Sequence, residues 1–202
     1  MNYFEFFTLP RMLTLDVVAL EKQFYAMSRK LHPDRFASKT VAEQEAALAQ
    51  SSLLNDAYRT LKDPIPRTQY LLKLEGVELE EQSKAATDAA RATGTEKKQV
   101  VPPELLEEVF ELNMQLQEMR TAKQMGEDEP ELRRDLMTAK DAFDAKMVET
   151  QAELEGLWKA WDSAVDAADE GAKARAKDAM VALLNKRSYL RNLVRDVNEA
   201  LE

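Results

Sequence analysis

The chain of 202 residues contains no cysteine and a single histidine, and its formal net charge is −9 at pH 7. The absence of cysteine excludes disulfides, thiolate chemistry and Cys-ligated metal sites on this chain. The acidic balance argues against general nucleic-acid binding, and no apolar run approaches the roughly 18 residues of a membrane span. The N-terminus lacks the basic segment of a signal peptide, so we expect a cytoplasmic protein that enters no membrane.

The composition predicts an all-α protein. Only five glycines and seven prolines are present, and nearly all of them separate long stretches rich in Ala, Leu, Glu and Lys. These four residue types are strong helix formers. Basic and acidic residues balance in residues 1–78, so the whole excess of negative charge lies in residues 79–202.

The N-terminal part predicts a helical hairpin. Asp16 is a suitable N-cap for a first helix over Val17–Leu31, and Thr40-Val41-Ala42-Glu43 forms a capping box that starts a second helix. Apolar residues recur on each helix at spacings of three and four, so the two helices can pack face to face. The loop between them is only about nine residues long, which favours an antiparallel arrangement.

The tip of this hairpin carries His32-Pro33-Asp34. Pro33 cannot continue a helix and pushes His32 out of the α region, so the first helix must end at about Leu31 and the loop must be stiff and exposed. A lone tripeptide of this kind is most often a solvated turn. Three cations lie on the outer side of the first helix, which as a pattern alone is ordinarily a solvated face: Lys22, Arg29 and Lys30.

The C-terminal part predicts three long helices. Residues 79–103 have almost no large apolar side chains and form the predicted linker, and helical patterns follow from about Glu104 to Lys123, Glu131 to Ala167 and Ala172 to Leu201. Short turns between long helices predict an antiparallel three-helix bundle over residues 104–202. The apolar periodicity also places Trp161 on the inner face of the second of these three helices.

The first of these helices has more apolar surface than a bundle needs. One complete seam faces the bundle, and a second stripe bordered by acidic residues lies about 100° or more around the helix: Leu106, Phe110 and Met114. An apolar stripe edged by acids is a candidate binding surface. A wide core face that touches both neighbouring helices is the competing interpretation, and periodicity alone favours it.

The flanks of the tip give the motif a context. Tyr3-Phe4 and Leu9-Pro10 lie upstream, and Asn55-Asp56-Ala57-Tyr58 lies downstream, so residues 1 to about 75 resemble a J-domain, the module that activates DnaK-type chaperone ATPases. The segment Tyr70-Leu71-Leu72 and the short acidic helical C-terminal part resemble those of the HscB family, the co-chaperones of iron–sulfur cluster assembly. The resemblance predicts a J-domain at residues 1–78.

The resemblance implies two binding sites and no catalysis. His32, Pro33 and Asp34 would engage a DnaK/HscA-type chaperone, whose acidic ATPase domain would dock on the cations Lys22, Arg29 and Lys30. The iron–sulfur scaffold protein would bind the following residues on the bundle: Leu106, Phe110, Glu111, Met114 and Tyr189. We expect no cofactor and no enzymatic activity on this chain, because ATP and magnesium would belong to the partner.

The sequence leaves two alternatives open and argues against a third. The chain could be a J-domain co-chaperone that serves a different client. It could be a purely structural helical bundle, although that leaves the rigid tip unexplained. A hydrolase with His32 as general base would need an adjacent nucleophile or metal, and a chain with no cysteine and no second histidine offers no such constellation.

Overall fold

The computed structural model describes residues 1–77 and 101–202, and all of the regular secondary structure in these ranges is helical. The predicted all-α class is confirmed. The α-helices are α1 (Tyr3–Phe6), α2 (Val17–Leu31), α3 (Val41–Lys62), α4 (Pro64–Leu74), α5 (Leu106–Met125), α6 (Pro130–Asp166) and α7 (Glu170–Leu201). Short 3-10 helices cover Pro33–Phe36 and Pro103–Leu105.

The chain divides into two compact units. Unit 1 comprises Met1–Leu79 and Trp158–Lys177, and unit 2 comprises Glu80–Leu157 and Asp178–Glu202. The end of α6, the following turn and the start of α7 therefore belong to unit 1. Except for its last three residues, the predicted linker at 79–103 lies outside the described residues, so its boundaries stay a prediction.

Unit 1 is organised around the α2–α3 hairpin. Asp16 caps α2 by accepting a hydrogen bond from the backbone N–H of Ala19, and Thr40 and Glu43 form the capping box of α3. The rings of Phe24 and Tyr58 stack between the two helices with their centroids 4.1 Å apart. The two predicted stripes thus face each other.

Helix α4 begins directly after α3, at a proline. Pro64 is the first residue of α4 and Asp63 caps it, because a proline at the first helical position loses no intrahelical hydrogen bond. Leu71 and Leu72 are fully buried. The ring of Tyr70 stacks on that of Tyr3 with a centroid distance of 4.4 Å, which ties α4 to α1.

Unit 2 is a bundle of α5 with the parts of α6 and α7 that lie outside unit 1. Its core takes residues from all three helices: Leu105, Val109, Leu112, Leu116, Met119, Leu132, Leu136, Phe143, Leu190, Leu193 and Val197. Gly126 ends α5 with a φ of 72°, a left-handed conformation that favours glycine. No helix in the described ranges is long and apolar enough to cross a membrane.

Candidate functional site

The tip of the α2–α3 hairpin is an exposed 3-10 turn. His32 ends α2 in an extended conformation with φ −61° and ψ 128°, as the following proline requires. The backbone N–H of Arg35 then donates to the carbonyl of His32 over 3.0 Å. The tip is therefore a fixed turn, which agrees with the stiffness expected from Pro33.

Two further side chains hold this turn in place. The Arg35 guanidinium donates to the carbonyl of Arg29 over 3.2 Å, which satisfies a backbone acceptor in the last turn of α2. The side-chain amide of Gln44 donates to the carbonyls of Ala37 and Lys39 over 3.2 and 3.0 Å. Sequence analysis missed both roles, although a cation near a helix C-terminus is a known signal for the first.

His32 and Asp34 interact with each other at the tip. The backbone N–H of Asp34 donates to Nδ1 of His32 over 3.3 Å, and the same Nδ1 lies 3.5 Å from Oδ2 of Asp34. A bare Nδ1 accepts the first bond, whereas a protonated Nδ1 can pair with the carboxylate. Both side chains are exposed, so the pair contributes little to stability.

The exposed side of α2 forms the second part of the site. Lys22, Tyr25, Ser28 and Arg29 line a shallow depression of about 430 Å³. The Tyr25 side chain is 55% exposed, and an exposed aromatic ring between two cations can bind a partner by apolar contact as well as by charge. Lys30 is exposed but does not line the depression.

The pattern of charges on α2 does not by itself single out Tyr25. The available signal was its position, three residues from Lys22 and four from Arg29 on the outer face of the helix. Val18, one turn before Lys22, is also 62% exposed. The outer face of α2 is thus mixed apolar and basic rather than simply charged.

The second apolar stripe of α5 lies on the surface of unit 2. Leu106, Phe110 and Met114 are 56%, 69% and 60% exposed, whereas the seam residues Leu112 and Leu116 of the same helix are buried. The interpretation of this stripe as a wide core face is therefore wrong. We call these three residues the α5 patch, and their role in binding stays a prediction.

The other two predicted scaffold-binding residues, Glu111 and Tyr189, differ in their surroundings. Glu111 lines a groove of about 390 Å³ between α5 and α6, together with Glu108 and Asp135. Glu108 pairs with Lys146 over 3.2 Å, but within the described ranges no ion pair or hydrogen bond engages Glu111 or Asp135. This edge of the patch offers free negative charge to a basic partner.

Tyr189 lies on α7 and is only partly accessible. It packs against the core of unit 2, and burial raises the pKa of its hydroxyl, with a further increase from the charge of Asp196. An aromatic residue in this position supports the bundle and can present only part of its ring to a partner. It is a weaker candidate for a binding anchor than Phe110.

The side chains of the site are of the kinds found on protein-binding surfaces. His32 accepts a hydrogen bond from the backbone N–H of Arg35, and its side chain contacts Asp34. Among the residues that the structure describes, no group of three or more His, Asp or Glu side chains is arranged to hold a metal ion. Exposed apolar residues, cations and a rigid turn are the elements of surfaces that recognise other proteins.

Comparison with known proteins finds solved structures that are similar to this chain over nearly its whole length. No family model matches the chain. The solved structure of the chaperone HscB from Vibrio cholerae is similar to it with a TM-score of 0.60 and 26% sequence identity, and the match covers 98% of this chain and 96% of that one. The human co-chaperone protein HscB matches with a TM-score of 0.60 and 23% identity, over 98% of this chain and 81% of that chain.

Proposed function

Because the chain belongs to the HscB family of co-chaperones, we propose that it binds an iron–sulfur cluster scaffold protein and delivers it to a DnaK/HscA-type chaperone in the cytoplasm. The tip and the outer face of α2 contact the chaperone and stimulate its ATPase. The α5 patch, with Glu111 and Tyr189, contacts the scaffold. The chain makes and breaks no covalent bond itself.

The observation that supports this proposal best is that His32 and Asp34 are exposed on a turn with a defined backbone conformation. Two polar side chains are fixed on a proline turn, where they contribute little to stability, and the rest of the hairpin is built to present them. Because this turn and its two side chains add little to the stability of the fold, we infer that they serve the binding of a partner. The adjoining depression on α2 offers that partner two cations and Tyr25.

The exposure of the α5 patch supports the second half of the proposal. Three large apolar residues on one exposed face of a short bundle cost solubility, and such patches commonly mark protein interfaces. Free carboxylates at the edge favour a client with a basic surface. A purely structural bundle would gain nothing from either feature.

The decisive experiment measures ATP turnover by candidate DnaK-type chaperones with the protein, with the scaffold and with both. We expect the protein alone to raise turnover and the scaffold to raise it further only when the protein is present. Stimulation that the scaffold does not change would favour a J-domain co-chaperone for another client. The absence of stimulation with every chaperone tested would contradict the proposal.

Charge reversal on α2 tests the chaperone surface. In the double variant Lys22→Glu/Arg29→Glu we expect slower association with the chaperone, because exposed charges mainly steer the encounter. The loss should shrink as salt rises, since the Debye length is about 8 Å at physiological ionic strength and shorter above it. Stopped-flow or surface-based association rates at several salt concentrations measure both effects.

The matched control is Arg59→Glu/Lys73→Glu, which changes the net charge equally at exposed positions away from the tip and the depression. This control should retain an association rate close to that of the wild type. Equal slowing of both double variants would show a general charge effect and would remove the α2 face from the proposal.

A further inference from the structure

The loop before α2 is held by two consecutive residues near the end of α6, all within unit 1. The indole N–H of Trp161 donates to the carbonyl of Arg11 over 3.3 Å. The carboxylate of Asp162 accepts the backbone N–H groups of Leu13 and Thr14 over 2.7 and 2.8 Å. It also accepts a hydrogen bond from the Thr14 hydroxyl.

The hydrogen bond from Leu13 to Asp162 is buried, and those from Thr14 are partly buried. Asp162 is only 7% exposed and Leu13 is 1% exposed, so water does not replace their bonds easily. A carboxylate that receives several N–H and O–H bonds forms stronger hydrogen bonds than a neutral acceptor does. Leaving the buried N–H of Leu13 without an acceptor would cost the full desolvation of that group.

A buried cation lies in the same unit as Asp162. Arg67 is 4% exposed, and its guanidinium donates to the carbonyl of Leu61 over 2.6 Å. Burial lowers the pKa of Arg67, and the negative charges of Asp162 and Asp63 oppose that shift. The negative charge of Asp162 therefore acts on Arg67 within unit 1, in addition to the hydrogen bonds that Asp162 makes to the loop.

We propose that Asp162 is a positioning residue for chaperone stimulation: it fixes the loop at Arg11–Thr14 and thereby the start of α2. Thr14 lies two residues before Asp16, the N-cap of α2, so the direction in which α2 leaves the loop follows from the conformation that Asp162 holds. The outer face and the tip are carried by α2. Asp162 itself touches neither of them.

The first test measures amide hydrogen exchange in the full chain and does not depend on the proposed function. In Asp162→Asn, one backbone N–H would meet an NH₂ group, so we expect exchange at Leu13 and Thr14 to accelerate about tenfold or more. If Asp162 positions α2, the amides of Ala19 and Leu20, which bond to Asp16, should also exchange faster. Wild-type protection at these two amides would overturn the inference.

Two variants separate positioning from general destabilisation. Asp166→Asn makes the same chemical change one turn later, at an exposed position, and should leave all four amides unchanged. Thr68→Val removes a buried hydrogen bond, the one from the Thr68 hydroxyl to the carbonyl of Pro64, elsewhere in unit 1. It should lower the melting temperature and leave Ala19 and Leu20 protected. Loss of their protection in Thr68→Val would overturn the inference.

The second test rests on the proposed function. At a temperature where every variant is folded, Asp162→Asn should raise the concentration of the protein needed for half-maximal ATPase stimulation several-fold, as should Thr14→Val. Thr14→Ser, which keeps the hydroxyl, should restore the wild-type value. If the wild type stimulates no chaperone, the proposed function fails, whereas exchange at Ala19 and Leu20 still decides whether Asp162 positions α2. Normal stimulation by Asp162→Asn would overturn the positioning role.

Discussion

Asp34→Asn is expected to abolish ATPase stimulation while the protein stays folded. The Asp34 side chain is 89% exposed on the tip, so its loss should change the free energy of unfolding by less than about 0.5 kcal/mol. The variant keeps the shape of the side chain and removes only the charge and one acceptor. Chaperone turnover, together with thermal unfolding followed by circular dichroism, measures the two effects separately.

His32→Gln should have the same outcome, because it removes the imidazole from the same exposed turn. The matched control is Asp56→Asn, an identical chemical change at an exposed position of α3 away from the tip. This control should stimulate like the wild type. If Asp34→Asn stimulates normally, the tip is a solvated turn and the assignment of the chaperone site is wrong.

The α5 helix allows an equally sharp contrast between core and surface. Leu112 is 1% exposed at the centre of the bundle, so Leu112→Ala should lower the free energy of unfolding by about 2–5 kcal/mol through the cavity that it leaves. Phe110 lies two residues earlier and is 69% exposed. Phe110→Ala should leave most of the stability intact and weaken scaffold binding by about 1–3 kcal/mol, as expected for an apolar anchor.

Chemical denaturation and titration calorimetry with the scaffold measure this contrast. Tyr189→Ala should combine a smaller loss of binding with some loss of stability, because part of its ring packs on the core. Glu111→Lys should weaken binding without affecting the fold. If Phe110→Ala binds the scaffold as tightly as the wild type, the client site must lie elsewhere on the chain.

The helices whose bounds the sequence predicted well are those with a capping or helix-breaking residue close to each end. The bounds of α2 follow from Asp16 at one end and Pro33 beyond the other, and the observed Val17–Leu31 matches them. The C-terminal helices begin and end within about three residues of the predicted positions, because Gly126 and Pro130 mark the first turn. The α5 patch was recognisable as a second stripe, but only the structure shows that it is exposed.

Two kinds of feature could not be predicted from the sequence. One is a helix that begins at a proline, and the other is a side chain whose partner lies far away along the chain. A proline inside a helical pattern indicates a break, and only the structure shows that Pro64 occupies the first position of a new helix, α4. Periodicity placed Trp161 correctly on a buried face but could not reveal that its indole meets Arg11 in unit 1. Asp162 looks like a solvated acid beside it, since its hydrogen-bond donors lie about 150 residues earlier in the chain.

The exposure of Met114 has a consequence for the response of the protein to oxidants. The chain contains no thiol, so its methionine sulfurs are the first atoms that peroxide can attack, and Met114 is 60% exposed whereas Met119 and Met180 are buried. Oxidation to the sulfoxide turns a flexible apolar side chain into a polar one and is reversed by dedicated reductases. If the α5 patch binds the client as proposed, this binding would weaken under oxidative stress and recover after repair, while the core of the bundle stays intact.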